Sequence, residues 1–154
     1  ISVCLPVRNG EAFLAAKLEC LLAQEYPADK VEILVYLDGC TDESERIARM
    51  IADRPSTRGR VRVLASPHHR GKPTAINRVA RDARGELLFL NDVRQRLDLD
   101  TLLKLAAWLS DPTVGCVSGN LVLEGGAGSG LYWRYENWIR RQESRFRSVV
   151  GATG

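Results

Sequence analysis

The sequence lacks any apolar run long enough to cross a lipid bilayer. A membrane-spanning helix needs about 20 consecutive apolar residues, and no stretch of this 154-residue chain approaches that length. The N-terminus also lacks a basic leader followed by an apolar segment. We therefore expect the chain as given to be soluble. Because it opens on a strand and stops without a polar tail, we expect a fragment truncated at its C-terminal end.

Strong net charge and clustered cysteines are lacking as well. The net charge is only +3, from 22 basic and 19 acidic residues, which argues against a nucleic-acid partner. The four cysteines lie far apart and form neither a Cys-x-x-Cys pair nor a Cys/His ligand cluster. We expect them to be reduced thiols, which indicates a cytoplasmic location.

Apolar clusters rich in Val, Ile and Leu alternate with segments of helical period. This alternation is typical of a parallel sheet covered by helices. Five strands are predicted, at residues 1–5, 31–37, 61–65, 87–90 and 114–123. We expect one domain over residues 1–154, with an α/β fold in which helices flank a mostly parallel, Rossmann-like sheet as an α/β/α sandwich.

Helical segments are predicted between the strands. Leucines 14, 18, 21 and 22 share one face of the first helix. Asp42 and Glu45 resemble a capping pair that opens the second helix, whose Met50 is predicted to face inward with Ile47 and Ile51. Pro73 suits the first turn of the third helix.

The last third of the chain contains a glycine-rich segment and an aromatic one. Residues 125–130 predict a mobile loop. Residues 131–146 predict an amphipathic helix with arginines, Trp133, Tyr135 and Trp138. Packing in the core, a platform for a sugar, contact with a membrane surface and a channel for a polymeric acceptor stay open as interpretations of this helix.

Polar turns follow the first four predicted strands. They occupy residues 6–11, 38–42, 68–72 and 91–95. In an open α/β sheet, ligands bind outside the carboxyl ends of the strands, so these turns are expected to meet at one edge. Two of them carry carboxylates and one carries clustered cations. This combination suits a ligand with a uracil-like ring, a diphosphate and a bound metal ion.

Asp38 and Asp92 are the carboxylates that follow apolar strands directly. Asp38 can accept the imide N–H of a pyrimidine, whereas Asp42 suits a helix cap better. Asp92 is the predicted contact for Mg²⁺ or Mn²⁺, since these ions prefer carboxylate oxygens and bridge diphosphates. A cap or turn aspartate is the structural alternative at both positions.

The cations of the third turn are Arg70 and Lys72, which flank Gly71 just before a helix. Their charge and the helix dipole would both favour a phosphate. A solvated basic turn is the structural alternative. His68 and His69 have no partner at ligand spacing and are interpreted as loop residues.

The order of these motifs resembles the family 2 glycosyltransferases of the GT-A fold, inverting enzymes related to cellulose, chitin and hyaluronan synthases. The resemblance rests on Pro6-Val7-Arg8-Asn9-Gly10-Glu11, Asp38-Gly39-Cys40-Thr41-Asp42, Gly71-Lys72 with Ala75 and Asn77, and Asp92. It continues through residues 115–119, Trp133-Arg134-Tyr135-Glu136 and Gly151-Ala152-Thr153-Gly154, and so covers essentially the whole chain.

The resemblance implies a nucleotide-diphosphate sugar donor, with a UDP-sugar expected, and a saccharide or lipid acceptor. By position, Pro6 and Asn9 would line the nucleoside pocket and Asp38 would meet the base. Arg70 or Lys72 would approach the base or the phosphates, with Gly71 between them. Asp92 would be the first acid of the family's Asp-x-Asp metal motif.

The chain departs from this family pattern at Arg94, which stands where the second acid of the metal motif is expected. One aspartate could still hold the metal with water and diphosphate, or Arg94 could partly replace the metal's charge. The family's general base is expected beyond the C-terminus of this chain, so we expect the fragment to bind donor weakly and transfer no sugar.

Two alternatives to a transferase are weighed. A degenerate nucleotide-sugar-binding module, with Arg94 marking lost catalysis, is the main one. A dinucleotide oxidoreductase needs a Gly-x-Gly-x-x-Gly turn after the first strand, and residues 6–11 do not contain it. Relatives often carry transmembrane helices, so the full-length protein is expected to be attached to the cytoplasmic face of a membrane.

Overall fold

A computed structural model of the protein describes residues 1–57 and 59–119. Residues Ile1–Ala107 form one compact unit, and the described residues from 108 onward belong to a second. The strands are β1 (Ser2–Val7), β2 (Glu32–Asp38), β3 (Val61–Ser66) and β4 (Leu88–Leu90). The helices are α1 (Glu11–Leu22), α2 (Ser44–Ala52), α3 (Lys72–Asp82) and α4 (Thr101–Trp108), with a short 3-10 helix at Ala28–Lys30.

The four strands form one parallel sheet in the order β3-β2-β1-β4. The two central strands have neighbours on both sides and helices on both faces, which is why β2 consists of a nearly continuous apolar run. Residues 33–37 of β2 are all buried. The predicted α/β fold and the first four predicted strands are confirmed, with boundaries shifted by one or two residues.

Helices cover both faces of the sheet. On one face, α1 buries Leu14, Leu18 and Leu21 completely, against inward side chains of β1 and β2. Each buried leucine contributes about 1.5–3 kcal/mol through apolar burial. On the other face, α3 packs Ala75 and Val79 on Cys4, Leu34 and Tyr36. The layers therefore stack as helix, sheet and helix.

The start and the inner face of α2 differ from the prediction. Met50 is 51% exposed, whereas Ile51 is buried and Ile47 packs against the core as predicted. The helix also buries Ser44 and Ala48. Asp42 and Glu45 do not form a capping pair, because α2 begins at Ser44 and has no side-chain cap. The Glu45 carboxylate pairs with Arg49 one turn later, at 2.7 Å.

The predicted fifth strand is wrong over the part that the structure describes. Residues 114–119 have no regular secondary structure and are mostly exposed. Glycines at both 115 and 119 weaken a strand by their backbone entropy and lack of packing side chains. Residues 120–123, the glycine-rich segment 125–130, the predicted helix 131–146 and residues 151–154 lie outside the described residues. Over residues 1–57 and 59–119, no helix combines the length and the apolar character that spanning a membrane requires.

Candidate functional site

The carboxyl ends of all four strands lie at one edge of the sheet, because the strands are parallel. The turns after β1, β2, β3 and β4 therefore meet there, as predicted. β1 lies between β2 and β4, which are therefore about 10 Å apart across the sheet. Along the strands β4 ends first, because Leu90 lies level with Leu34, four residues before Asp38.

Asp38, the last residue of β2, anchors the loop that leads into α3. Its side chain is buried, with 3% of the residue exposed. The Arg70 backbone N–H donates to Oδ1 at 2.8 Å, and the Gly71 backbone N–H donates to Oδ2 at 2.9 Å. Nδ1 of His69 lies 2.7 Å from the same Oδ2. A carboxylate has about four acceptor positions, so these contacts leave one on Oδ1 that a base N–H can use.

Hydrogen bonds determine the charge state of Asp38. Burial by itself would raise the pKa of this carboxyl, but the hydrogen bonds from Arg70, Gly71 and His69 outweigh burial and lower the pKa below its ordinary value. Asp38 is therefore a carboxylate at neutral pH and acts as the hydrogen-bond acceptor for this loop.

Gly39 lets the loop of residues 68–71 come close to the end of β2. Its φ is +63°, and a Cβ built on it would lie 2.5 Å from the backbone nitrogen of His69. A side chain is therefore excluded by space as well as by conformation. His69 is a loop residue, as interpreted, and this close approach brings its ring onto Asp38. No pattern in the sequence indicated the contact.

The turn after β1 is joined to the turn after β2. Asn9, at φ +47°, accepts the Thr41 backbone N–H at 2.9 Å through its side-chain oxygen. The Asp42 carboxylate accepts the backbone N–H groups of Glu11 and Ser44, at 2.9 and 3.1 Å. Asp42 thus joins the starts of α1 and α2, a local role close to the cap that we expected. The contact of Asn9 with a nucleoside stays a prediction, and its side-chain amide also stabilises this turn.

Pro6 lies inside β1, a position that a strand proline seldom takes. The ladder between β1 and β4 covers only Ser2–Cys4, so Pro6 lies beyond it and the missing N–H interrupts no bond to β4. The side chain is partly exposed at the carboxyl edge. Its predicted contact with a nucleoside stays a prediction.

Asp92, after β4, faces the start of α3. Its Oδ2 lies 3.5 Å from the Lys72 ammonium, and its Oδ1 accepts the Arg94 backbone N–H at 3.0 Å. Lys72 directly follows Gly71, which is bonded to Asp38, so a short chain of contacts connects the two carboxylates. The structure brings together Asp38, Arg70, Gly71, Lys72 and Asp92, as the sequence predicted.

Lys17, on α1, contacts the turn that contains Asp92, and the sequence did not predict this contact. It is only 3% exposed, and its ammonium donates to the backbone oxygen of Gln95 at 2.6 Å. Burial lowers the pKa of Lys17 to about 8, while Cys20 and Asp92 act in the opposite direction. A lysine within the apolar face of a helix was the only signal in the sequence that could have revealed it.

A divalent metal ion at Asp92 would require several oxygen ligands around it. Over residues 1–57 and 59–119, no three His, Cys, Asp or Glu side chains come together as metal ligands. Asn91 has an unpaired Oδ1 among the described residues, but that atom is closed off from solvent. Asp92 is the one carboxylate in the turn of residues 91–95, and the Lys72 ammonium lies 3.5 Å from its Oδ2, so this donor set does not fit the two-carboxylate metal site of the family.

Known proteins similar to this chain include glycosyltransferases. The family model described as Glycosyl transferase family 2 matches residues 2–152. An N-acetylglucosaminyltransferase of Azorhizobium caulinodans is 29% identical over 164 residues. That alignment covers 100% of this chain and 40% of the relative, so the chain spans less than half of that protein.

Solved structures show the same fold. The mannosyltransferase PcManGT from Pyrobaculum calidifontis, in complex with GDP-Man and Mn²⁺, is 31% identical, with a TM-score of 0.70 over 77% of this chain and 35% of that one. TarS 1–349 from S. aureus, in complex with UDP, is 24% identical, with a TM-score of 0.64 over 71% of this chain and 32% of that one. The predicted GT-A fold is thereby confirmed.

Proposed function

Because the chain belongs to glycosyl transferase family 2, we propose that the carboxyl edge of its sheet binds the nucleotide-diphosphate sugar that donates the glycosyl group. One observation carries the proposal. The loop anchored on Asp38 leads directly into Lys72, whose ammonium lies beside Asp92. A carboxylate that can accept a base N–H, Asp38, is connected through this loop to a cation that can bind phosphate, Lys72.

The roles follow from the chemistry of each side chain. Asp38, with its remaining acceptor position, receives a base N–H, while Pro6 and Asn9 line the nucleoside side of the site. Arg70 and Lys72, next to Gly71 at the start of α3, hold the phosphates with help from the helix dipole. Complexes of TarS with UDP and of PcManGT with GDP-Man support a nucleoside diphosphate as the ligand.

The proposed reaction is transfer of the sugar, with inversion, to a saccharide, lipid or other acceptor. The similar N-acetylglucosaminyltransferase supports transfer to a saccharide. A module that binds the donor without catalysis is the second candidate, and the loss of the usual second acid at Arg94 favours it. Release of UDP from a UDP-sugar upon addition of acceptor separates the two. The cytoplasmic location and the membrane attachment stay predictions.

The donor site is tested by calorimetric titration of the chain with UDP and with uridine. We expect UDP to bind with a Kd below about 1 mM. Lys72→Ala should weaken UDP at least tenfold, or about 1.4 kcal/mol, and leave uridine unchanged. Lys30→Ala is the matched control, because Lys30 is exposed and precedes β2, at the opposite edge of the sheet.

Two results would contradict the proposal. One is the absence of UDP binding to the unchanged chain. The other is an equal loss of UDP affinity in Lys72→Ala and Lys30→Ala, which would mean that positive charge anywhere on the surface attracts the nucleotide.

A further inference from the structure

The turn after β4 has one carboxylate where two are usual in the family. Asp92 is followed by Val93 and Arg94, and no oxygen ligand replaces the second acid. In the structure, the Arg94 backbone N–H donates a hydrogen bond to Oδ1 of Asp92 at 3.0 Å. The Lys72 ammonium lies 3.5 Å from Oδ2.

Cationic side chains contact, or belong to, the turn that carries this single carboxylate. Lys72 faces it from the start of α3, and the buried Lys17 supports the turn through the Gln95 carbonyl oxygen at 2.6 Å. The Arg94 guanidinium lies over the ring of Phe13, 5.9 Å from its centroid. Lys72, Lys17 and the turn's own Arg94 outnumber its one carboxylate, which leaves a surplus of positive charge at this turn.

This surplus acts in opposite directions on a metal ion and on a diphosphate. A divalent cation at Asp92 would lie close to the Lys72 ammonium, which is 3.5 Å from Oδ2, and would be repelled by this like charge. A diphosphate is attracted by the same charges. The planar fork of an arginine also matches two phosphate oxygens at once, and an ammonium provides a point charge beside it.

We propose that Lys72 and Arg94 neutralise the donor's diphosphate in place of a divalent metal ion, so that donor binding needs neither Mg²⁺ nor Mn²⁺. The inference rests on the proposed function, because it concerns the same site. It separates this chain from its structural neighbour PcManGT, which was solved with Mn²⁺. In this proposal the residues of this one turn, rather than membership of the family, determine whether donor binding requires a metal ion.

The first test compares UDP binding to the unchanged chain in EDTA and in excess Mn²⁺, by calorimetry. We expect the two dissociation constants to agree within about twofold. Arg94→Ala should raise the Kd for UDP about tenfold in EDTA, as expected for the loss of one charge-assisted phosphate contact. Uridine, which has no phosphate, should be unaffected by the substitution.

The second test restores the acid pair with Arg94→Asp. This variant should bind UDP at least tenfold more weakly in EDTA than in Mn²⁺, and so acquire a metal requirement. Arg81→Asp is the matched control, with the same charge change. It lies nine residues further along α3 than Lys72, about 14 Å at the rise of a helix, and should keep its affinity equal in EDTA and Mn²⁺.

The outcomes distinguish this inference from the donor site itself. Binding of UDP to the unchanged chain in Mn²⁺ but not in EDTA overturns the metal-free diphosphate site and leaves the donor site standing. Absence of UDP binding in both conditions overturns the donor site and this inference with it. The comparison on the unchanged chain needs no variant to fold.

Discussion

Replacing Asp38 with asparagine tests the contact that organises the site. In the structure, Oδ1 accepts the Arg70 N–H at 2.8 Å and Oδ2 accepts the Gly71 N–H at 2.9 Å. Asparagine keeps one acceptor oxygen and puts an NH₂ group in place of the other. One backbone N–H then faces another donor in a site where Asp38 is only 3% exposed.

The magnitude follows from these two bonds. A hydrogen bond to a charged group contributes about 1.5–3 kcal/mol, and a buried donor left without a partner costs about 1–3 kcal/mol. We expect Asp38→Asn to lower the free energy of unfolding by about 2–4 kcal/mol at pH 7, as measured by urea denaturation. Asp29→Asn removes the same charge from an exposed position and serves as the control.

The effect of Asp38→Asn should also depend on pH. The pKa of Asp38 is lowered in the folded chain, so its carboxylate contributes stability that is fully present above the unfolded pKa, about 4. That contribution is lost as the pH falls through the folded pKa. The gap between the unchanged chain and the variant in free energy of unfolding should therefore narrow as the pH falls below about 4. Equal urea midpoints at pH 7, or a gap that widens below pH 4, would refute the reasoning.

Three further predictions concern the supports of the site. Gly39→Ala should cost about 1–3 kcal/mol more in urea unfolding than Gly59→Ala, because both glycines have positive φ but only the Cβ at 39 would clash, at 2.5 Å from His69 N. The stability of the unchanged chain relative to Lys17→Met should rise between pH 8 and 10, because the pKa of Lys17 is lowered to about 8 and the unfolded chain then binds more protons; a flat difference would contradict this. Leu18→Ala, at 0% exposure, should cost about 2–5 kcal/mol in the same assay, and a loss below about 1 kcal/mol would argue against the described core.

Much of the fold and part of the site could be predicted from local patterns. The four strands and the helices between and after them show hydrophobic periods within short stretches of the sequence, and parallel connections place every strand's carboxyl end at one edge. The positions of Asp38 and Asp92 at that edge follow from this geometry. Met50 and the described part of the fifth strand, residues 114–119, were predicted wrongly because apolar residues in these windows were assumed to be buried.

Side-chain partners were decided only in the tertiary structure. His69 meets Asp38 across 31 residues of chain, Thr41 meets Asn9 across 32, and the ammonium of Lys17 reaches the residue 78 positions later. The sequence by itself determined which residues leave the ends of the strands, because strand direction and period are local properties. The sequence by itself did not determine which hydrogen-bond donor meets which acceptor. Those partners depend on how closely the loops approach one another, and that is established only when the chain packs.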